Sequence, residues 1–572
     1  MSNFSLKFIF KQYKLLFFVV IFFLAIGVWY SPIIFKGYST QGIPSAIVLA
    51  RNYYQSGVLA EQNDLNVTLA PSLIKEEGHP LVLSEYLHSF FYAKIFKITG
   101  IPDYNNLILI SIILYALALI LFTVLTLYLF DLKTAIVFSL IYIFSPLGWG
   151  LTNSLGSYEF CLIFWALFFI FYFLGVKRIE QSRGWFNNLF FIISGIFLAL
   201  SALSKEAVLV FALAFFVFLL IKKIKQQLIY IFIPFVLLLM VFWLPSILSR
   251  QNLYLSMLTG KAIEEANFTI YMHVFPDPYT YYFEREEFLE KFRDQNLDWT
   301  ENLQTKKDLI RFGFEKINLF ERVKVGFYIL PQHISRFFSL EDFGGPFILL
   351  LLLLGLIYLR NKYKFLYNLF LCWLVVSLFV FIFVILVSRN HLMDFIWPLM
   401  LLITLGLFYL IIVIRNHFKF EKRKSIIIGM ILIILLLYHL ILINHVVLGR
   451  QYDKESVPRS ITYAQEIKKL NIKDVKVITI PGDFPDQATT LNYLTNKSFV
   501  IFQSSTLKKL LKEDKLKQAF EAFGVGYILG YSDELSNEII ISTGVVNIAS
   551  NSLKIDIGEV SANKSFFMNL VR

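Results

Sequence analysis

Charge and cysteine are both scarce in this sequence, and each scarcity excludes a class of protein. Only 16% of the 572 residues are charged, which is well below the usual share in a soluble globular domain. The two cysteines, Cys161 and Cys372, both lie inside apolar runs. Cysteines in such runs pack as small buried hydrophobic side chains, so we predict neither a disulfide nor a cysteine metal site.

Motifs for nucleotide-driven transport and for metal hydrolysis are also absent from the sequence. It contains no Gly-rich phosphate-binding loop, no H-E-x-x-H motif and no Cys/His pattern with metal-ligand spacing. Each of these motifs supplies a specific set of phosphate or metal contacts. We therefore do not expect an ATP-driven pump, a zinc hydrolase or protein residues that bind a metal, although dependence on a divalent cation stays open.

The sequence contains many long apolar runs. Hydrophobic residues make up 57% of the chain, with 61 phenylalanines, and a helix needs about 20 apolar residues to cross a bilayer. Apolar length and flanking charge predict a polytopic α-helical membrane protein with about eleven transmembrane helices. The predicted spans are 15–35, 105–130, 134–150, 157–176, 185–203, 207–221, 228–248, 346–359, 365–387, 395–414 and 425–445.

Basic residues mark one side of these spans. Lys7 precedes the first span, and Lys133, Lys177, Lys222 and Arg360 follow the second, fourth, sixth and eighth spans. Such a bias marks the cytoplasmic side, so we expect a multi-pass protein of the plasma or inner membrane with a cytoplasmic N-terminus. The net charge of +12 then reports orientation rather than nucleic-acid binding. We expect the first span to be retained, because no small-residue cleavage site follows it.

This topology leaves three extracytoplasmic regions, which are 36–104, 249–345 and the chain after Asn444. The last region changes in character, because short buried strands are predicted at 475–480, 498–503 and 525–530. Helical patterns are predicted at 458–470 and 506–523. We therefore divide the chain into a membrane domain, 1–445, which includes the two outside loops, and a small extracytoplasmic α/β domain, 446–572.

Four segments in chain order resemble a known superfamily. They are ARNYYQSG (50–57), GHPLVLSEYLHSFFYAKIFKITG (78–100), SALSKEAVLVF (201–211) and VSRNHLMDFIWPLM (387–400). In this order, after a first span and with an α/β tail, they resemble the GT-C membrane glycosyltransferases. The similarity is to the protein O-mannosyltransferase and aminoarabinose-transferase-like branch.

The resemblance implies an activity in the cell envelope. Members of this superfamily move a sugar from a polyprenyl-phosphate donor to an acceptor at the outer face of the membrane, and the acceptor is a lipid, a glycan or a protein. Their catalytic base is usually an acidic residue in the first loop, about eight residues before the Ala-Arg. Here that position falls near Gly42-Ile43, and there is no carboxylate between Tyr38 and Val58.

Three carboxylates are our candidates for the missing general base, which takes a proton from the acceptor in such a transfer. Glu76 and Glu77 precede the turn Gly78-His79-Pro80, which is able to present them to a cavity. The alternative is a solvated loop. Glu159 lies at the outer end of the fourth span, where an ionisable residue indicates a site, and its alternative is an exposed interfacial carboxylate.

Four basic or imidazole side chains are our candidates for the departing lipid phosphate, which needs nearby positive charge. Lys205 and Arg389 lie at outer span ends, where the bias towards the cytoplasm does not explain them. Snorkelling to the interface is their alternative, and Lys205 also has a neighbouring acid, Glu206. His79 and His391 are further candidates, with stabilisation of a turn as the alternative for His79.

Two rival functions remain beside the glycosyltransferase. A lipid or polysaccharide transporter would have charges inside its spans or matching halves, and the sequence shows almost none of the former and no internal repeat. A non-catalytic GT-C-like protein that binds a polyprenyl lipid or a partner is the other rival. The missing acidic pair in the first loop favours this second alternative.

Overall fold

The structure of the protein is a computed structural model. It describes residues 18–23, 45–56, 86–145, 158–181, 186–205, 208–248, 345–380, 396–419, 421–451, 477–481, 486–502, 504–523, 525–531, 546–554 and 563–570, with a few isolated positions between them. The chain forms two compact units. The first comprises residues Met1–Ile34, Asn106–Pro245 and Asn318–Tyr452, and the second comprises Phe35–Asn105, Ser246–Ile317 and Asp453–Arg572.

The first unit is helical throughout its described part. Its helices are α3 (Tyr104–Leu129), α4 (Leu132–Phe144), α5 (Glu159–Gln181), α6 (Phe186–Ser204), α7 (Val208–Ile221), α8 (Lys225–Leu248), α9 (Pro346–Lys362), α10 (Lys364–Phe379), α11 (Ile396–Phe418) and α12 (Lys422–Gln451). Each predicted span from the second onward overlaps one of these helices. The first span is described only over residues 18–23, which are helical, and the count of eleven spans stays a prediction.

Within the described residues, five helices are long and apolar enough to cross a bilayer. They lie within α3, α5, α8, α11 and α12. Four shorter apolar helices accompany them, at Leu132–Phe144, Asn188–Ser204, Val208–Ile221 and Lys364–Phe379. The protein is therefore a multi-pass membrane protein.

A dense aromatic cluster fills the interior of this unit. The rings of Trp165 and Phe211 have centroids 4.8 Å apart, and Trp373 lies 4.4 Å from Phe211 and 5.2 Å from Trp165. Phe169 stands 4.7 Å from Trp397 on α11. Lipid is as apolar as these side chains, so helix association in a membrane depends on close packing rather than on the hydrophobic effect. The aromatic cluster supplies this packing between α5, α7, α10 and α11.

Two helices of this unit leave most of one apolar face exposed. Leu237 and Val241 on α8 are exposed, as are Ile434, Leu435 and Tyr438 on α12. In a membrane protein such a face contacts lipid, where the exposure of apolar side chains is not unfavourable because no water is present. These two helices therefore lie at the periphery of the first unit.

The second unit contains the helices α1 (Ser45–Ser56) and α2 (Tyr86–Thr99) of the first loop and the C-terminal region. The C-terminal elements are β1 (Val477–Pro481), α13 (Asp486–Thr495), β2 (Ser498–Phe502), α14 (Ser504–Lys512), α15 (Leu516–Ala522), β3 (Val525–Tyr531), β4 (Val546–Lys554) and β5 (Asn563–Leu570). The sheet has the order β2-β1-β3-β5-β4. Strand β1 pairs in parallel with β2 and β3, and β5 pairs antiparallel with β3 and β4.

Strands β1 to β3 correspond to the three predicted segments, whereas α13, β4 and β5 were not predicted. Whether residues 446–572 form a separate extracytoplasmic domain stays a prediction. The helix predicted at 506–523 is wrong as a single element, because it is divided into α14 and α15. Asp514 has a φ of 55°, and the Lys515 and Asp514 N–H groups donate to Leu510 and Leu511 carbonyls. These two bonds form a Schellman motif, which ends the first helix.

The turn between α3 and α4 gives a first testable prediction. Asp131 is the N-cap of α4, and its Oδ1 accepts bonds of 2.8 Å from both the Thr134 N–H and the Thr134 hydroxyl. Asp131→Ala removes this cap and is expected to cost about 1 kcal/mol of stability. Asp131→Asn keeps an acceptor oxygen and should be near wild type. Thermal unfolding of the purified protein in detergent measures the difference, and equal losses in both variants would contradict a capping role.

Candidate functional site

Glu159 is the first residue of α5, and it is fully buried. Its Oε1 accepts a hydrogen bond of 2.6 Å from the Ser111 hydroxyl on α3. Its Oε2 accepts a longer bond of 3.3 Å from the Tyr158 N–H, which lies at the start of the helix. A carboxylate at this end of a helix is favoured by the helix dipole. The alternative of an exposed interfacial carboxylate is wrong, because α3 and the α5 N-terminus enclose the side chain.

Lys205 lies in the short connection between α6 and α7. Its backbone N–H donates to the Ser201 carbonyl at 2.9 Å, and its carbonyl accepts from Val208 at 3.1 Å. The side chain is partly exposed, and its Nζ lies 5.3 Å from the centre of the Tyr158 ring. A cation over an aromatic face is attracted by the negative face of the ring. The neighbouring Glu206 lies outside the described residues.

The structure therefore places Lys205 beside Tyr158, the residue that precedes Glu159, although Lys205 is far from both in the sequence. We call Ser111, Tyr158, Glu159 and Lys205 the Glu159 cluster. The end of α6 is also fixed to the start of α5, because the Ser201 hydroxyl donates to the Cys161 carbonyl at 2.9 Å. The cluster combines the buried carboxylate of Glu159 with the partly exposed ammonium group of Lys205. A carboxylate is able to accept a proton, and an ammonium group is able to bind an anion.

Five of the predicted site residues lie outside the described residues. They are Glu76, Glu77, His79, Arg389 and His391. Their roles stay predictions. In the described stretches, no three His, Cys, Asp or Glu side chains come together as a metal site.

Ser111 is the member of the cluster that the sequence analysis missed. It is fully buried on α3, and it lies 48 residues before Glu159 in the chain. Its only signal in the sequence is a single serine in an apolar run, NLILISIILY. Serine in a membrane helix often bonds to its own backbone, so this signal by itself does not identify a partner.

Solved structures that match most of this chain include a bacterial aminoarabinose-type transferase structure, ArnT, and two structures of an archaeal oligosaccharyltransferase. ArnT from Cupriavidus metallidurans, solved with bound undecaprenyl phosphate, has 11% identity and a TM-score of 0.50, and the match covers 96% of this chain and 97% of ArnT. The Archaeoglobus fulgidus oligosaccharyltransferase, solved with zinc and sulfate, has 14% identity and a TM-score of 0.52, with 90% and 68% of the two chains covered. The apo form of the same oligosaccharyltransferase has 12% identity and a TM-score of 0.51, and the match covers 97% of this chain and 75% of that protein.

No protein-family model and no curated protein sequence matches the chain. At 11–14% identity, the structural matches establish the fold alone. The chain has the GT-C fold, as the four sequence segments predicted. The particular branch within the superfamily stays a prediction.

Proposed function

We propose that this chain is an integral membrane glycosyltransferase that acts at the extracytoplasmic face. The donor is a sugar linked to a polyprenyl phosphate, and the acceptor is a hydroxyl or amine of a lipid, a glycan or a protein. In the reaction, the acceptor oxygen or nitrogen forms a bond to the anomeric carbon, and the bond from that carbon to the phosphate oxygen breaks. The polyprenyl phosphate leaves with the negative charge, and the acceptor proton passes to a carboxylate.

The agreement of fold along almost the whole of both chains is the observation that carries this proposal. The match to ArnT covers 96% of this chain and 97% of ArnT, so it is not confined to a single region of either protein. The ArnT structure contains undecaprenyl phosphate, which is a polyprenyl phosphate. Fold alone does not define a reaction, so the site residues have to supply the rest.

The Glu159 cluster is our preferred site, with Glu159 as the general base and Lys205 as a phosphate ligand. Lys205 is partly exposed and lies beside the residue that precedes Glu159. An ammonium group acts on a phosphate as a point charge with three donors. Arg389, His79 and His391 are proposed as further contacts to the donor, and Glu76 and Glu77 are proposed as alternative bases.

One observation favours a second candidate function. Glu159 is fully buried, and both of its carboxylate oxygens accept hydrogen bonds. A base must reach the proton that it takes, so this carboxylate has to become accessible when a donor binds. If it does not, the cluster only joins α3 to α5, and the protein is a GT-C-like binder of polyprenyl lipid without turnover.

A substitution at Lys205 tests the donor contact. Lys205→Ala is expected to raise the KM for a polyprenyl-phosphate sugar by roughly 10- to 100-fold, because it removes a charged hydrogen bond to phosphate. Lys205→Arg should recover most of this loss. Lys222, which follows the other end of α7 and is exposed, provides the matched control, and Lys222→Ala should leave KM unchanged.

The measurement is transfer of a labelled sugar by the purified full-length protein in lipid nanodiscs, with a panel of polyprenyl-phosphate sugars as donors. Turnover with at least one donor supports the glycosyltransferase. Retained binding of polyprenyl phosphate with no transfer or donor hydrolysis across the panel would favour the non-catalytic alternative. An unchanged KM in Lys205→Ala would reject Lys205 as a donor contact.

A further inference from the structure

Arg51 on α1 is buried, and its guanidinium is fully occupied by the C-terminal region and by its own neighbour. The side chain is 3% exposed. Its Nη1 donates to the backbone carbonyls of Asn492 at 2.6 Å and Tyr493 at 3.0 Å. Its Nη2 donates to the Oδ1 atoms of Asn492 at 2.9 Å and Asn52 at 2.7 Å, and Nε also donates to Asn52 at 3.2 Å. No nitrogen is left to bind a donor phosphate.

The position of these carbonyls explains why an arginine is present. Residues 492 and 493 lie in the last turn of α13 (Asp486–Thr495), where carbonyls lack their full set of helical partners, although the Asn492 carbonyl also accepts from the Asn496 N–H at 2.8 Å. A cation at this end also meets the negative end of the helix dipole. Burial lowers the pKa of Arg51 to about 10, although interaction with Tyr493 opposes this shift. The guanidinium thus remains charged at neutral pH, and it acts as a cap on α13.

Helix α13 contacts both ends of the first loop. Near the start of the loop, the Ile43 N–H donates to the Thr490 hydroxyl at 2.9 Å. Near its end, the Tyr493 hydroxyl donates to the Pro102 carbonyl at 2.9 Å. The Tyr493 ring also lies 6.5 Å from the ring of Phe96 on α2. One short helix of the C-terminal region therefore fixes residues that come before and after the whole 44–101 segment.

Asn492 on α13 also contacts the chain that leads into the sheet. The Asn492 Nδ2 donates to the Lys497 carbonyl at 2.7 Å, next to β2. Asn492 therefore accepts a bond from Arg51 with one end of its amide and holds the turn before β2 with the other. The second loop also has a bond to this region, because Lys509 on α14 donates to Glu284 at 2.7 Å. The bond to Glu284 raises the pKa of Lys509, which keeps its ammonium group charged.

We propose that α13 positions the first loop and that Arg51 and Tyr493 are its two positioning residues. The contacts hold α1 through Arg51 and the chain just before α3 through Pro102. Because both are held in place before a donor binds, less conformational entropy is lost in reaching the arrangement from which transfer occurs. The effect on transfer rests on the proposed function, whereas the anchoring of α1 does not.

Hydrogen exchange in the full-length protein tests the anchor without any enzyme assay. In Arg51→Gln, amides of α1 are expected to exchange roughly 10- to 100-fold faster than in wild type, because several charged hydrogen bonds are lost. Tyr493→Phe removes a single hydroxyl and should accelerate exchange in the segment before α3 by a smaller factor. Tyr54 lies on α1 and is exposed, so Tyr54→Phe provides the matched control and should change nothing.

Kinetics with the best donor of the panel separates positioning from a merely structural role. Arg51→Gln and Tyr493→Phe should lower kcat by about tenfold or more, with little change in KM, because they misplace a loop rather than remove a ligand. Arg51→Lys should remain impaired, since an ammonium group cannot form the fork of bonds.

Two results would overturn the anchor. The first is unchanged exchange in α1 of Arg51→Gln together with unchanged exchange before α3 in Tyr493→Phe. The second is faster exchange across α3 to α12 as well, which would show a general loss of stability. Local acceleration in α1 with wild-type kcat would reject the positioning role in transfer. If wild type shows no transfer, the exchange result still decides the anchor, and only the proposed function fails.

Discussion

Glu159→Gln is expected to lower kcat for sugar transfer by about 10²- to 10⁴-fold, which is the usual contribution of a general acid or base. Glutamine has the shape of glutamate but cannot take a proton from the acceptor. Its amide oxygen still accepts the bond that the Ser111 hydroxyl makes to Glu159 at 2.6 Å, and only the longer bond of 3.3 Å from the Tyr158 N–H is lost. The variant should therefore fold and bind the donor while the chemical step is slow.

The measurement compares single-turnover transfer and thermal unfolding for wild type and four variants. Glu76→Gln and Glu77→Gln test the alternative bases in the first loop. Glu421 precedes α12 and is exposed, so Glu421→Gln controls for the loss of a carboxylate near a helix N-terminus. Only Glu159→Gln is expected to lose transfer, with a loss of stability of about 1 kcal/mol at most from the bond that Tyr158 no longer makes.

Three other outcomes have defined meanings. Loss of transfer in Glu76→Gln or Glu77→Gln, with Glu159→Gln active, would place the base in the first loop. Loss of both stability and transfer in Glu159→Gln would show that the carboxylate serves only to join α3 to α5. Because Glu159 is buried, a catalytic role also predicts that a carbodiimide modifies it faster when a polyprenyl-phosphate donor is present.

Gly406→Ala is expected to destabilise the first unit by about 3 kcal/mol or more, at the upper end for an overpacked interior. A Cβ built at Gly406 on α11 would overlap the backbone carbonyl oxygen of Leu351 on α9, and it would stand 2.7 Å from the carbonyl carbon. Backbone cannot rotate away as a side chain can. The two helices would have to move apart, which would also loosen the packing around them.

The contact is reciprocal, because a Cβ at Gly355 on α9 would overlap the carbonyl of Leu402 on α11. Gly406 thus lies against the Leu351 carbonyl, one helical turn before Gly355, and Gly355 lies against the Leu402 carbonyl, one turn before Gly406. Small residues at such crossings let membrane helices approach closely. Gly355→Ala should therefore be about as damaging as Gly406→Ala. The double variant should cost less than the sum of the two, since the helices separate only once.

Gly429 on α12 provides the control for helix propensity. A Cβ there would meet the side chain of Ile411 at 3.3 Å, which is able to shift. Alanine is favoured over glycine inside a helix by about 1 kcal/mol, so Gly429→Ala should be neutral or slightly stabilising. The amount of monodisperse protein that remains after heating in detergent gives the ranking. Equal behaviour of Gly406→Ala and Gly429→Ala would disprove the close approach of α9 and α11.

The sequence by itself determined the membrane class, the positions of the helices from the second span onward and the kind of fold. These features depend on local properties, since hydropathy and flanking charge act within one segment. The first three strands were also predictable from short apolar runs. The split between α14 and α15 was not, because an aspartate at 514 gives little sign that the backbone will adopt a positive φ there.

The tertiary structure alone decided which polar residues work together. Ser111 and Glu159 meet across 48 residues, and Arg51 reaches Asn492 across 441. The motif ARNYYQSG was visible in the sequence, but Arg51 looked no different from an exposed arginine. Helix α13, DQATTLNYLT, is short and contains few apolar residues. It therefore shows no periodic apolar pattern from which a helix could be predicted. Its residues Thr490 and Asn492 are buried where they bind Ile43 and Arg51 of the first loop, and such long-range contacts are set by packing rather than by local sequence.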